Sequence, residues 1–405
     1  MAKLPHSANR QAVLISIRNG KMAGSAHAYV RGNTLKFYEW LDAADTCALP
    51  QGPAIWICGD CHVGNLGPVA NADGEVEIQI RDFDQTVIGN PAHDLIRLGL
   101  SLSMAARGSD LPGVTTAHMI EQLIVGYAQA TDPGQDNASG IGGIPGSVHV
   151  ALKEALRRSW RHLAKERIGG KTVAIPLGKR FWPVSAPERG EIETLLATDE
   201  LKCLATQLSH RADDASVKVL DMAYWMKGCS SLGRLRFAVL LDVAKQPTKG
   251  HDLCLIDIKE AVKAAAPRYR KATMPRDNAQ RILEGARKLS PNLGERMVAA
   301  RLLDRSVFVR ELLPQDLKLE IANVSQQEAM KAACYLGQVV GRAHARQMDE
   351  ATRRAWCSEL ARNRSKTLDA PSWLWLSILE LVATHERGYL EHCRRYSLDT
   401  PSTHA

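Results

Sequence analysis

Gly59-Asp60-Cys61-His62-Val63-Gly64-Asn65 is the stretch on which the reading of this chain turns, together with Asp82-Phe83-Asp84 seventeen residues after Asn65. Upstream lies Ala54-Ile55-Trp56-Ile57-Cys58, a short apolar run whose length and β-branched content predict a buried strand. Downstream, residues 75–81 alternate, with Val76, Ile78 and Ile80 on one face, which predicts a half-buried strand. Asn71-Ala72-Asp73-Gly74 before it is turn chemistry. Two strands thus flank a polar loop and bring their ends together, so that Asn65 and Asp82 face one cation. Hard oxygen ligands of this type suit magnesium, which keeps waters and takes its remaining ligands from substrate phosphates. Asp60, set back in the loop, is free to orient or deprotonate an acceptor hydroxyl.

Outward from this loop, residues 1–50 read as mainly helical, with a turn near Arg31-Gly32-Asn33. Leu95, Leu98 and Leu102 have helical spacing, and 115–130 reads the same way. Residues 131–149 are rich in Gly, Pro, Asp and Asn and form a loop or lobe boundary. A basic amphipathic helix follows over 150–168, a β-like stretch over 171–184, and helix from about 186 to 209. Strands are expected over 217–226, 236–241, 251–259 and 306–312, a helix over Asn278–Leu289, and helices again over 325–395.

Bulk properties set the frame. A chain of 405 residues has room for two or three lobes, because single cores stop growing at roughly 250–300 residues. With 45% hydrophobic and 24% charged residues it is an ordinary globular chain, not a disordered one. The net charge of +8 suits nucleic acid, a membrane surface or an anionic substrate, and a solvated basic surface is a plainer reading than nucleic acid, since aromatics at 5% are thin for base stacking and no Lys/Arg block or nucleic-acid motif occurs. Nine scattered cysteines fit a reducing compartment better than a disulfide framework. Cys58 and Cys61 have no second pair at zinc spacing and read as small fillers beside the loop, with metal or redox use as the minority option. No apolar run approaches the ~18 residues of a membrane span. A soluble, cytoplasmic protein is the expectation.

The pattern D-x-x-x-x-N followed by Asp-Phe resembles the catalytic and metal loops of protein kinases. A closer resemblance is to aminoglycoside and choline phosphotransferases, with H-G-D-x-H-x-x-N, then I-D-F, then G-D-P-x-x-D-L. This chain has Cys58-Gly59-Asp60-Cys61-His62-Val63-Gly64-Asn65, then Ile80-Arg81-Asp82-Phe83, then Gly89-Asn90-Pro91-Ala92-His93-Asp94-Leu95. Over its whole length the chain also looks like the bacterial family DUF2252, which shares the GD-x-H-x-GN and DFD blocks, an upstream Arg-Gly, a Gly-Ser-x-Gly turn and an Ile-Lys-Glu-Ala strand.

The resemblance implies an α+β, protein-kinase-like two-lobed fold with a large, mostly helical C-lobe and a small β-rich N-lobe. Asp60 would be the catalytic aspartate, His62 would buttress the loop by hydrogen bonds, and Asn65 and Asp82 would hold Mg2+. Asp84 would be a further metal ligand or a turn residue. Asp94 would cap the following helix and pin the loop. Arg31 would reach a phosphate or acidic acceptor, or hold the loop through an ion pair. The nucleotide lobe would supply Gly228, Ser230, Ser231 and Gly233 as phosphate cover. Lys259 would pair with the phosphates, and Glu284 (or Glu260) with Lys259. Arg310 lies in a hinge-like strand. Asp257 departs from the pattern, standing where kinases have a small alanine against adenine.

These nucleotide-binding segments follow the catalytic loop instead of preceding it. A circular permutation is therefore expected, with C-lobe parts at 1–169 and 316–405 around a nucleotide-binding part at 170–315. The function implied is an ATP- and magnesium-dependent phosphotransferase acting on a hydroxyl acceptor. Nucleotidyl transfer or silent nucleotide binding on the same fold is the alternative, and nucleic-acid binding a distant one. Trp373, Trp375 and Tyr389 line an acceptor pocket or belong to the core.

Overall fold

The computed structural model describes residues 10–43, 49–109, 111–134, 144–157, 174–228, 232–244, 252–316, 325–362 and 370–396. Within them the chain is mixed α+β, with thirteen α-helices and a six-stranded antiparallel sheet. Helices α1 (Arg10–Ala23), α2 (Ala26–Gly32) and α3 (Thr34–Ala43) come first, and the break between α2 and α3 falls at Asn33. Four short strands follow: β1 (Ile55–Ile57), β2 (Leu66–Ala70), β3 (Val76–Ile80) and β4 (Val87–Gly89). Then come α4 (Ala92–Arg107), α5 (Gly113–Thr131) and α6 (Gly146–Arg157). Almost every residue of α4 is buried, because its apolar residues surround it and other elements pack on all sides.

The six-stranded sheet is assembled from β5 (Phe181–Trp182), β6 (Ser216–Trp225), β7 (Arg236–Ala244), β8 (Leu253–Glu260), β9 (Met297–Leu302) and β10 (Arg305–Glu311). Its order is β5-β6-β7-β8-β10-β9. Helices α7 (Ala186–Leu196) and α8 (Asp199–Thr206) lie between β5 and β6, and α9 (Asn278–Leu289) and α10 (Pro291–Gly294) between β8 and β9. Helices α11 (Gln326–Ala345), α12 (Glu350–Ala361) and α13 (Ser372–Tyr396) close the chain. One large core joins the helices to β1–β4. A second lies on one face of the sheet, where Cys254, Ile256 and Ile258 of β8 meet Leu14, Ile192, Leu201 and Leu204. Asp257 and Lys259 take the opposite face, as strand alternation requires. No helix among the described residues is long and apolar enough to cross a membrane.

Several expectations are corrected. The strand after Asn65, β2, was missed because Gly67 and Pro68 weaken its pattern; it is nonetheless fully buried and pairs with β3. The strand at 55–57 pairs with β4, not with β3. β3 is not cleanly half-buried, since Gln79 is enclosed and accepts from Ser290 Oγ at 2.7 Å. The β-like stretch at 171–184 contributes only Phe181–Trp182 to the sheet among the described residues. β9 was not anticipated. The helix expected over 150–168 is described as far as Arg157.

Candidate functional site

The loop after β1 is fixed before any side chain faces the cleft. Gly59 has φ +74°, and a Cβ there would lie 2.2 Å from the Gln85 carbonyl oxygen, so only glycine fits. Asp94, on the first turn of α4, accepts the Cys58 N–H at 2.7 Å and the Gly59 N–H at 2.9 Å. His344 of α11 stands 3.2 Å from the same carboxylate, and the Tyr38 hydroxyl donates to the Gly59 carbonyl. Asp94 therefore pins the loop. It does not cap its helix: Asn90 Oδ1 accepts the Ala92 N–H there. Cys58 and Cys61 are buried free thiols, and the Cys58 Sγ lies 3.5 Å from the Asp82 carbonyl oxygen.

The β2–β3 hairpin brings Asn65 and Asp82 together. Asn65 immediately precedes β2, Asp82 is the second residue after β3, Leu66 pairs with Ile80, and the Arg81 N–H donates to the Asn65 carbonyl at 2.8 Å. The Asn65 amide nitrogen donates to the Asp60 carbonyl at 2.9 Å, which leaves its side-chain oxygen available. Asp60 Oδ1 accepts from Arg97 Nε at 2.8 Å, and Oδ2 accepts from Thr34 Oγ1 at 2.9 Å. The expected hydrogen-bonded buttress by His62 is not made. Its Nε2 is 4.0 Å from Asp60 Oδ2 and its Nδ1 has no partner. Burial pushes the imidazole down to about 3, so the ring is neutral, even though Asp60 pulls the other way.

Lys259 at the end of β8 closes the other side. Its Nζ lies 2.7 Å from Asp84 Oδ2 and 3.5 Å from Asp82 Oδ1, and the lysine is only 4% exposed. Arg234 stands 3.6 Å from Asp84 Oδ2. Burial works against both carboxylates. At Asp82, Lys259 and Arg310 outweigh it and hold the group below the usual carboxylate range. At Asp84, burial and the neighbouring Asp82 charge win over Lys259 and push the group up. Asp82 keeps 40% of its side chain open to the cleft, whereas Asp84 Oδ1 is buried without a hydrogen-bond partner. A small cavity joins Thr34, Asp60, Asn65, Asp82, Asp84, Gln85 and Arg234.

Other expected residues fall elsewhere. Glu284 does not meet Lys259. Its carboxylate pairs with Arg287 at 3.2 Å on the outer side of α9. Glu260 also points away, since strand alternation turns it from Lys259 toward Arg305 at 2.7 Å and the Leu235 N–H at 2.8 Å. Arg310 does not sit free in a hinge. It lies 3.4 Å from Asp257 and donates to the Arg81 carbonyl at 3.1 Å. Asp257 is fully buried between Arg310 and Arg236, the latter at 2.6 Å, and these two hold its carboxyl low against burial. Gly228 (φ +92°) and Gly233 (φ +97°) flank the β6–β7 connection, and Lys21 of α1 donates to the Gly228 carbonyl at 3.2 Å. Ser230 and Ser231 lie outside the described residues.

Among the described residues no three His, Cys, Asp or Glu side chains form a metal-holding group. Magnesium asks for less, one or two carboxylates with waters and phosphate. Asn65 Oδ1, Asp82 and the orphaned Asp84 Oδ1 fit that demand in donor type. Sequence reasoning missed Arg97, Thr34 and Arg234. Arg97 carried a signal, an arginine amid the apolar run of α4 with no place in a core unless a carboxylate waits for it. Trp373 is buried core, while Trp375 and Tyr389 are half-buried, the latter donating to the Ala23 carbonyl at 3.1 Å.

The family model described as "Uncharacterized protein conserved in bacteria (DUF2252)" matches residues 10–395, and the chain belongs to that family. No curated protein and no solved structure matches it at a significant level.

Proposed function

We propose that this DUF2252 member is an ATP- and magnesium-dependent phosphotransferase acting on a hydroxyl acceptor, with a kinase-like, circularly permuted two-lobed fold. The observation that carries the reading is the meeting of Lys259, on the sheet, with Asp82 and Asp84, on the loop after β3, next to Asn65 and Asp60. That is the complement of charges a phosphoryl-transfer site needs: cation ligands, a phosphate-binding lysine and a carboxylate for the acceptor.

The order of elements supports the same reading. A glycine-flanked connection joins β6 to β7, the lysine sits on β8, and α9 follows, as in a nucleotide lobe. Gln347, just past α11, accepts the Trp56 N–H at 3.0 Å and donates to the Trp56 carbonyl at 3.0 Å. In an unpermuted kinase this helix runs directly into the catalytic loop; here its end lies beside the strand that leads there.

Asn65, Asp82 and Asp84 would hold magnesium, which when bound draws negative charge from the phosphate oxygens. Lys259 would exchange its carboxylate partners for phosphate oxygens. Asp60 would orient the acceptor hydroxyl, held in place by Arg97 on Oδ1 and Thr34 on Oδ2. Positioning and electrostatics then supply most of the rate.

Calorimetry of the full chain with ATP and magnesium tests the reading. Saturable, magnesium-dependent binding is expected; its absence ends the proposal. Intact mass of a modified acceptor, or of self-modified protein, reads the group transferred. A nucleotide adduct in place of a phosphate would move the reading to nucleotidyl transfer on the same fold.

A further inference from the structure

We infer that the acceptor carries an acidic group, a phosphate or a carboxylate, and that Arg31 receives it beside the Asp60 loop; the word acceptor here rests on the phosphotransferase reading. Arg31 lies in the last turn of helix α2, and its guanidinium lies flat against Gly64, where a Cβ would come within 3.0 Å of Cζ. Among the described residues that guanidinium has no hydrogen bond or ion pair, and its Nε is buried with no partner. The obvious counter-ion is taken: Asp60 spends one oxygen on Arg97 and the other on Thr34. The loop-holding ion pair therefore belongs to Arg97, and Arg31 is left with its charge unmatched.

Its surroundings point the same way. Arg97 is fully buried, with Nε on Asp60 and one terminal nitrogen on the Val30 carbonyl at 2.7 Å, but its other terminal nitrogen has no partner. His27, one turn before Arg31, and His62 each keep an unpartnered buried Nδ1. Both rings feel the charges of Arg31 and Arg97, which with burial keep them neutral. One corner of the loop thus gathers two guanidinium charges against one carboxylate, with four buried nitrogens lacking partners. Among the described residues, four buried arginines each face a carboxylate, Arg10 with Glu188, Arg211 with Glu311, Arg236 with Asp257 and Arg296 with Asp316, and buried Arg281 donates to three backbone carbonyls, whereas half-buried Arg31 has neither. A buried donor left unmatched is costly, and the planar fork of arginine fits the two oxygens of a carboxylate or phosphate. An acidic group on the acceptor would fill the deficit and bring its hydroxyl to Asp60.

The test is calorimetric titration of the full chain with inorganic phosphate and, separately, acetate, in EDTA so that no metal recruits either anion. Saturable binding of one of them is expected, and which one binds tighter assigns the acidic group. Arg31→Gln is expected to weaken that binding at least tenfold, and Arg31→Lys to restore part of it. Gly64→Ala, which pushes the guanidinium aside without removing it, should weaken binding too. No saturable binding by the unaltered protein, or Arg31→Gln and Gly64→Ala binding as tightly as it does, overturns the inference. Nucleotide binding by the unaltered protein, measured with magnesium on the same preparation, reports on the phosphotransferase reading separately. Its loss with anion binding intact removes the word acceptor but leaves the anion site.

Discussion

Lys259 and Asp84 form a 2.7 Å ion pair between the end of β8 and the loop after β3, with 5% and 10% of their side chains exposed. Two parts of the chain 175 residues apart are thereby joined at the point where the candidate chemistry lies. The pair ties the sheet to the loop, and under the proposed function Lys259 would also receive phosphate; single and double substitutions separate the two roles.

Lys259→Met leaves buried Asp84 with only the more distant Arg234, 3.6 Å away, and is expected to lower unfolding stability by about 3 kcal/mol. Lys259→Met with Asp84→Asn removes both charges and should recover much of that loss in urea titrations. Neither variant should bind ATP with magnesium as the unaltered protein does. A double variant no more stable than the single one would contradict the pairing.

Asp82 is open to the cleft and bears less of the fold. Asp82→Asn is expected to lower the urea midpoint less than Lys259→Met does and to remove the magnesium dependence of nucleotide binding. Retained magnesium dependence, read by calorimetry, would take Asp82 out of the ligand set.

Asp60→Asn keeps an oxygen for Arg97 or Thr34, so the fold should persist. Turnover is expected to fall by about 100-fold or more, the usual scale for a positioned acid–base group, with nucleotide affinity unaltered. Full turnover in a steady-state assay would show that Asp60 has no part in the transfer.

Acid should destabilise the protein through its buried histidines. Burial lowers His62 to about 3 and His93 and His385 to about 4, against 6.5 in the unfolded chain. Between those limits the unfolded state binds more protons. Their contribution is therefore complete above pH 6.5 and is lost as pH falls toward the folded values, by about 1.4 kcal/mol per pH unit for each ring. Urea titrations from pH 7 to pH 4.5 should show this slope, and His62→Gln should reduce it by about one proton. An unchanged slope in that variant would mean the ring does not resist protonation.

Two glycines make opposite predictions. A Cβ on Gly126 of α5 would stand 2.0 Å from the Cys334 carbonyl oxygen of α11, so Gly126→Ala should cost about 2–3 kcal/mol by forcing the helices apart. Gly190 lies exposed within α7 with nothing near its Cβ position, so Gly190→Ala should stabilise by about 0.5–1 kcal/mol. Thermal melts of both variants check the helix pairing.

The sequence by itself determined the local elements and the residue types that the loop carries. Apolar runs and alternation located β1, β3, β6, β7, β8 and β10, and the turn residues 71–74 located the hairpin tip, because strand and helix periods are written in neighbouring residues. The spacing of Asp60, Asn65 and Asp82 was legible for the same reason. Which strands pair was not: β2 closes the hairpin that joins Asn65 to Asp82, while β1 goes to β4. Nor was the fate of each charge. Tertiary structure alone gave Asp60 to Arg97, turned Glu284 to solvent and Glu260 to Arg305, and left Arg31 unmatched. A carboxylate's partner is set by which side chains lie within a few ångströms in space, and sequence separation carries no measure of that distance.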